Sequence, residues 1–336
     1  MPNNTTSLEI AKRNKRDEFY TESRTIEEEM EYYSLSSFSG KVVYCNCDNP
    51  FRSKFVDYFI RNFHHLELKE LIATSLKHNN SGFPEDRAAW CLRYRGESTS
   101  GNLYNISSFV TPLTGDGDFR SEECMSLLQK ADVIVTNPPF SLLREYIGIL
   151  NKYHKEFLLL ANICAVTYKE CFQMFLDGRL WLGGSIHSGD REFEVPDYYC
   201  LDMNGSRKLP NGDIWTKAGR IDTNGKKYVR VKGIRWLTNL DYETRHMPFQ
   251  LDTPYIPEEY SFYDNIPMVI NVNRTSCIPK DYKGIMGVPI TFLDKYCPEQ
   301  FRIIGNEYTL GVREGRGYVH GKRMFSRVFI QARDLR

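Results

Sequence analysis

Several large functional classes are excluded by what this chain lacks. No apolar run approaches the roughly 20 residues needed to cross a bilayer. The first 15 residues are polar and rich in Asn and Thr, unlike the apolar stretch of a signal peptide, so the expected location is cytoplasmic. Nine cysteines spread over 336 residues do not make the framework of a small secreted domain and read as reduced thiols. Cys45-Asn46-Cys47 has no second Cys or His pair to complete four ligands, so no metal is expected. Seven scattered histidines show neither metal spacing nor a Ser-His-Asp arrangement and read as packing or surface residues. There is no internal repeat, no low-complexity tract and no long heptad stripe of the kind that seams an obligate dimer. With 41% hydrophobic and 26% charged residues, the chain has the composition of a globular protein with one large or two modest domains.

The chain also has little net charge, +1, but that charge is unevenly placed. Residues 1–177 carry 20 Lys and Arg against 24 Asp and Glu, hence −4, while residues 178–336 carry 24 against 19, hence +5. Between Arg207 and Arg235 nine cations face only Asp213 and Asp222. Lys226, Lys227, Arg230, Lys232 and Arg235 are the candidate contacts to the phosphates of a polyanion there. A solvated hairpin with lysines along its edges is the competing reading.

Strand and helix patterns alternate over the first half. Lys41 to Cys45, Lys69 to Ser75, Asp132 to Thr136, Glu156 to Ala161 and Arg179 to Leu182 read as strands, and Thr25 to Tyr33, Arg52 to His64, Glu122 to Lys130, Ser141 to Leu150 and Thr167 to Leu176 as helices. Trp90 to Tyr94 with Leu103 to Ser107 reads as a hairpin. Such alternation predicts an α/β fold with a parallel sheet covered on both faces. Beyond Gly183-Gly184 come short aromatic and basic segments with hairpin turns at Asn204-Gly205, Asn211-Gly212 and Asn224-Gly225. Gly287 to Phe292 and Phe301 to Ile304 read as strands returning to the main sheet. The expected division is an N-terminal segment 1–35, a catalytic core 36–183, a mostly β and loop recognition region 184–284, and a C-terminal segment 285–336 with a basic tail.

The most informative residues are Asn137-Pro138-Pro139-Phe140, directly after the strand ending at Thr136. Open α/β sheets bind ligands at the carboxyl ends of their strands. An exocyclic amino group conjugated to a ring is a poor nucleophile. An Asn oxygen and the backbone carbonyl after it can accept its two N–H hydrogens and steer the nitrogen toward a tetrahedral form that attacks a methyl donor. Pro138 and Pro139 stiffen the loop, and Phe140 offers a face on which an extruded base stacks. The competing reading is a strand-ending Pro-Pro turn with a core aromatic.

Six segments in order resemble the EcoRI-type adenine-N6 DNA methyltransferases. They are Asp17-Glu18-Phe19-Tyr20-Thr21, Val42-Val43-Tyr44-Cys45-Asn46-Cys47-Asp48, Gly115-Asp116-Gly117-Asp118-Phe119-Arg120-Ser121, Thr136-Asn137-Pro138-Pro139-Phe140-Ser141-Leu142, Trp236-Leu237-Thr238-Asn239-Leu240 and Gly287-Val288-Pro289-Ile290-Thr291-Phe292-Leu293. The resemblance implies a Rossmann-like, S-adenosylmethionine-dependent methyltransferase fold and methyl transfer to the N6 amino group of a flipped adenine in duplex DNA. Asn137, Pro138, Pro139 and Phe140 would be catalytic. Phe19, Tyr20, Thr21, Cys45, Asn46, Asp48, Asp118, Phe119 and Asn137 would bind the cofactor. The chain departs from most relatives of that fold in having no glycine between Val42 and Phe51, a version that the EcoRI-type enzymes share. The usual acidic partner for the donor ribose is also missing after the second strand, where Ile72-Ala73-Thr74-Ser75 offers only hydroxyls. One catalytic motif and one recognition region predict a monomer without an obligate protein partner. Two other readings remain open at this point: a methyltransferase of the same fold acting on RNA or a protein glutamine, and a non-catalytic DNA-binding relative.

Overall fold

The computed structural model describes residues 20–77, 84–97, 106–195, 199–312 and 315–333. Along the chain they form α1 (Ser23–Met30), β1 (Val42–Cys45), α2 (Lys54–Arg61), β2 (Glu70–Thr74), β3 (Trp90–Tyr94), β4 (Val110–Pro112), α3 (Glu122–Lys130), β5 (Val133–Thr136), α4 (Leu143–Lys152), β6 (Glu156–Asn162), α5 (Lys169–Leu176), β7 (Trp181–Leu182), β8 (Asp190–Val195), β9 (Arg207–Lys208), β10 (Ile214–Trp215), β11 (Gly219–Ile221), β12 (Lys227–Lys232) and β13 (Ile234–Thr238). They continue with β14 (Val269–Asn271), β15 (Ile285–Pro289), β16 (Phe301–Gly305), β17 (Tyr318–Val319), β18 (Lys322–Arg323) and β19 (Arg327–Ala332). The chain divides into two units. The first takes the described parts of Met1–Ile163 together with Ser188–Leu240, and the second Cys164–His187 with Asp241–Arg336.

In the first unit the strands run in the order β4-β3-β2-β1-β5-β6-β13. β2, β1, β5 and β6 are mutually parallel. β3 and β4 extend one edge antiparallel, and β13 pairs antiparallel with β6 from Ile234 opposite Asn162 to Thr238 opposite Leu158. The mixed α/β architecture follows the sequence pattern. β1, β2 and β5 are buried at every position, as strands covered on both faces must be. α2 begins at Ser53, whose hydroxyl accepts from the Phe55 and Val56 amides. Its apolar side buries Phe55, Val56 and Phe59, with Phe55 edge-on to Trp236 of β13. Connections step to one side of β1 to reach β2 and to the other to reach β5, so the strand order reverses there and opens a crevice above the two carboxyl ends.

A second sheet of the same unit, β8-β12-β11-β10-β9, is wholly antiparallel. Asn211-Gly212 and Asn224-Gly225 turn its hairpins as the sequence predicts, Gly212 and Gly225 having φ of +92° and +82°. In the second unit β14-β15-β19-β16 form a four-stranded sheet, and β17 pairs with β18.

Three expectations change. The partner of β3 is Val110–Pro112, while Ile106 and Ser107 lie in a 3-10 turn and residues 103–105 fall outside the described residues. β15 and β16 do not rejoin the main sheet: both pair with β19, whose run Val328-Phe329-Ile330 gives them an apolar partner of their own. The region expected as one piece from 184 to 284 is split at Leu240, because β13 is consumed by the main sheet and carries the preceding hairpins with it.

Candidate active site

A cleft of about 950 Å³, counting its open mouth, lies over the carboxyl ends of β1, β2 and β5. Tyr20 and Thr21, Asn46 to Asn49, Arg52 to Phe55, Ser75, Asp86, Gly117 to Phe119, Asn137, Pro139 and Leu142 line it. Its lining mixes apolar surface with a few polar groups, as small-molecule sites do.

Asp48 holds the loop after β1. Its backbone amide donates to Thr74 O (3.0 Å), one carboxylate oxygen accepts from Ser53 Oγ (2.7 Å), and the other from Thr136 Oγ1 (2.5 Å). Thr136 in turn accepts from the Cys47 amide at 3.1 Å. The ends of three strands are thereby tied together without a glycine-rich turn. Asn46, 1% exposed, lines the cleft; its Nδ2 is buried next to the Tyr146 hydroxyl and makes no well-formed hydrogen bond among the described residues. Cys45 departs from the expectation. It ends β1 fully buried, outside the cleft lining, with burial pushing its thiol well up. The alternation along an extended backbone explains this, since Asn46 and Cys45 face opposite ways.

The loop Gly115 to Phe119 is wedged against the end of β2. Gly117 has φ of +80°, and a Cβ there would lie 2.0 Å from Ser75 O, so only glycine lets the loop pass. Asp118 takes a two-pronged interaction from Arg120, Nη2 at 2.6 Å and Nε at 2.8 Å, which holds its carboxyl below the usual range. Phe119 packs edge-on to Tyr146 of α4, with ring centroids 5.0 Å apart. Burial drives the Tyr146 hydroxyl well up, so it stays protonated.

Asn137 follows β5 directly and is half-buried, and its Nδ2 donates to Thr21 Oγ1 at 3.2 Å. Thr21 is 6% exposed, and its neighbour Tyr20 donates its backbone amide to Glu194 O of β8 at 3.0 Å. The segment Tyr20-Thr21 therefore ties Asn137 to the second sheet. Pro138 and Phe140 are buried. Phe140, 8% exposed, is not part of the cleft lining. Phe19 lies outside the described residues. Residues that the sequence did not assign to the cofactor also line the cleft: Cys47, Ser75, and the ion pair of Arg52 with Asp86, which Asn49 Nδ2 joins at 2.9 Å. Partners 34 positions apart leave no spacing signal. Ser53 was readable as a helix cap ahead of an apolar run.

The basic residues sit differently from one another. On the second sheet Lys226 pairs with Glu194 (3.0 Å), Arg230 with Glu192 (3.2 Å), and Arg220 with both Glu192 and Asp213. Lys227 Nζ donates to Tyr199 O, and Lys232 is exposed. Arg235 does not belong to that surface: it is 4% exposed within β13, and its Nη1 donates to Ile234 O. One outward row crosses all five strands, Arg207, Trp215, Arg220, Tyr228 and Glu194. In it Arg207 lies 4.9 Å from the Trp215 ring centre and Arg220 3.9 Å from that of Tyr228.

Comparison with known proteins agrees with this constellation. The family model described as adenine-specific methyltransferase EcoRI matches residues 7–324. The Type II methyltransferase M.EcoRI of Escherichia coli is 43% identical over 333 residues, covering 98% of this chain and 97% of its own. Type II methyltransferases M.MgeORF184P of Mycoplasma genitalium and M.MpnI of Mycoplasma pneumoniae are each 32% identical, covering 97% and 96% of this chain and 98% and 97% of their own. A match that spans both units, with the Asn137 loop placed over a strand-end cleft, leaves one assignment: the chain is an enzyme of the adenine-specific EcoRI methyltransferase family.

Proposed function

We propose that this enzyme transfers a methyl group from S-adenosylmethionine to the N6 amino group of an adenine flipped out of duplex DNA. It would act as a cytoplasmic monomer on a Rossmann-like methyltransferase core. The observation that carries the reading is Asn137, anchored by its amide nitrogen to Thr21 at the mouth of a cleft over β1, β2 and β5. An amide oxygen carries two lone pairs, enough to receive a substrate N–H alongside another partner.

The lining suits the donor. Asn46 Nδ2 is a buried donor suited to a carboxylate, Asp118 is held ionised and can accept from an amino group, and Phe119 and Leu142 give apolar surface for a purine. When bound, S-adenosylmethionine supplies a sulfonium-activated methyl electrophile. Asn137 Oδ1 and the Pro138 carbonyl then accept the two N–H groups of adenine and draw the nitrogen out of conjugation. Thr21 keeps the amide from turning its donor end to the substrate. For Phe140 to be the aromatic on which the base stacks, its ring must leave the buried position it holds in this structure. The outward row of the second sheet and the cation Lys232 face the duplex. Two-strand modification by one chain then requires rebinding in the opposite orientation.

The test is to map modified bases in DNA from cells expressing the wild type and Asn137→Ala. N6-methyladenine at one recurring sequence, absent from the variant, supports the reading. A folded wild type that leaves adenines unmodified, or modifies RNA or protein instead, overturns it.

A further inference from the structure

Cations on the second sheet are largely matched by carboxylates of the same sheet, Lys226 by Glu194, and Arg220 and Arg230 by Glu192. The second unit contains the opposite case. From Gly315 to Arg333 the chain carries Arg316, Lys322, Arg323, Arg327 and Arg333 and no Asp or Glu. Arg316, Lys322 and Arg323 are exposed and enter no ion pair among the described residues.

Lys322 and Arg323 form β18 of the hairpin with β17, and Arg316 leads into it. His320 and Gly321 make the two-residue turn, with φ of 51° and 71°, the geometry that suits the twist of a tight hairpin. The hairpin is braced. The His320 and Gly321 amides donate to the two carboxylate oxygens of Asp264 at 3.1 and 2.8 Å. Asn265 donates Nδ2 to Arg316 O at 2.8 Å and accepts the Tyr318 amide at 3.0 Å. Val319 is packed in an apolar cluster with Tyr263, Ile266, Val269 and Phe329. Three unmatched cations are thus presented from a scaffold already ordered, which lowers the entropy lost on binding. Two residues after Arg323, the Phe325 ring is 88% exposed. A single exposed apolar residue needs no explanation, but this one adjoins a basic run with no acidic residue.

Resting on the reading that duplex DNA is the substrate, we infer that the β17–β18 hairpin is a DNA-docking element of the second unit, its cations on phosphates and Phe325 against base or sugar edges in a groove. Apolar side chains beside phosphate-binding cations are how proteins wedge or grip a duplex without reading its sequence. None of these residues lines the cleft, and all of them belong to the second unit.

The test measures binding of the full-length protein to a duplex containing the methylation site and to one lacking it, across a salt series. Lys322→Gln/Arg323→Gln should weaken both and lower the salt slope by about 1.8, at roughly 0.9 per phosphate contact. Phe325→Ser should weaken both roughly fivefold or more, the worth of an aromatic contact with a base, without changing the slope. Thermal unfolding of all variants should match the wild type, because the altered side chains are exposed. If the wild type methylates DNA while the variants bind with unaltered affinity and slope, the hairpin inference falls and the substrate reading stands. If the wild type neither binds nor methylates DNA, both fall. If Phe325→Ser abolishes self-association while leaving DNA binding intact, the ring is a protein interface and the inference is overturned.

Discussion

At the scale of single residues the proposed chemistry rests on how one amide, that of Asn137, is held. Asn137→Ala should reduce turnover on the order of a hundredfold or more, as loss of a preorganised polar group does, while DNA binding stays close to normal by calorimetry. Near-normal turnover by the folded variant would remove the assignment. Thr21 supplies a sharper test, since its hydroxyl accepts from Asn137 Nδ2. Thr21→Val keeps the shape and removes the acceptor, so kcat should fall at least tenfold, about the cost of an unmet buried hydrogen bond. Thr21→Ser should recover most of the rate. Equal loss in both variants would mean that Thr21 serves packing alone. Asn137 and its loop were legible because a polar residue, two prolines and an aromatic after a β-branched strand break the surrounding pattern. Thr21's grip on Asn137 was not, because a contact across 116 positions leaves no local trace.

At the scale of elements, what was readable was periodic. The parallel strands, the Glu122–Lys130 helix and the Asn-Gly hairpins follow from apolar runs and turn residues. The basic cluster misled in part, since composition counts cations but cannot see a partner strand. β8 places Glu192 and Glu194 against Arg230 and Lys226. The salt slope of DNA binding should therefore fall by about 0.9 for Lys232→Gln and by less for Lys226→Gln, whose charge is already matched. A larger change for Lys226→Gln would mean that the duplex displaces Glu194. In the second unit His246 bridges Asp241 and Glu299 at 2.8 Å each, beside Arg245 and the Cys297 thiol. Glu299 first, then Asp241, raises the imidazole above its ordinary 6.5. The protonated form is thus favoured by folding, and its stabilisation is full below that ordinary value and lost as pH rises through the raised one. Melting temperature should drop across that window, and His246→Gln should flatten the dependence. An unchanged profile in the variant would assign the pH effect to other groups.

At the scale of the whole molecule the chain order and the spatial order disagree. A fragment of residues 36–183, the core that the sequence suggests, lacks β13 and the segment carrying Thr21, and it should fail to give a cooperative unfolding transition. A fragment that unfolds cooperatively would show β13 to be dispensable. The same interleaving bears on synthesis. β6, Glu156–Asn162, has one edge waiting for β13 until Leu240 has left the ribosome. Between Ile163 and Leu240 lies an interval of about 4–15 s at roughly 5–20 residues per second. During it the nascent chain displays an unpaired edge built from Phe157-Leu158-Leu159-Leu160-Ala161, the kind of strand that recruits a neighbouring chain. Yield in cells should then be governed by chaperone supply and translation speed more than by the stability of the finished enzyme.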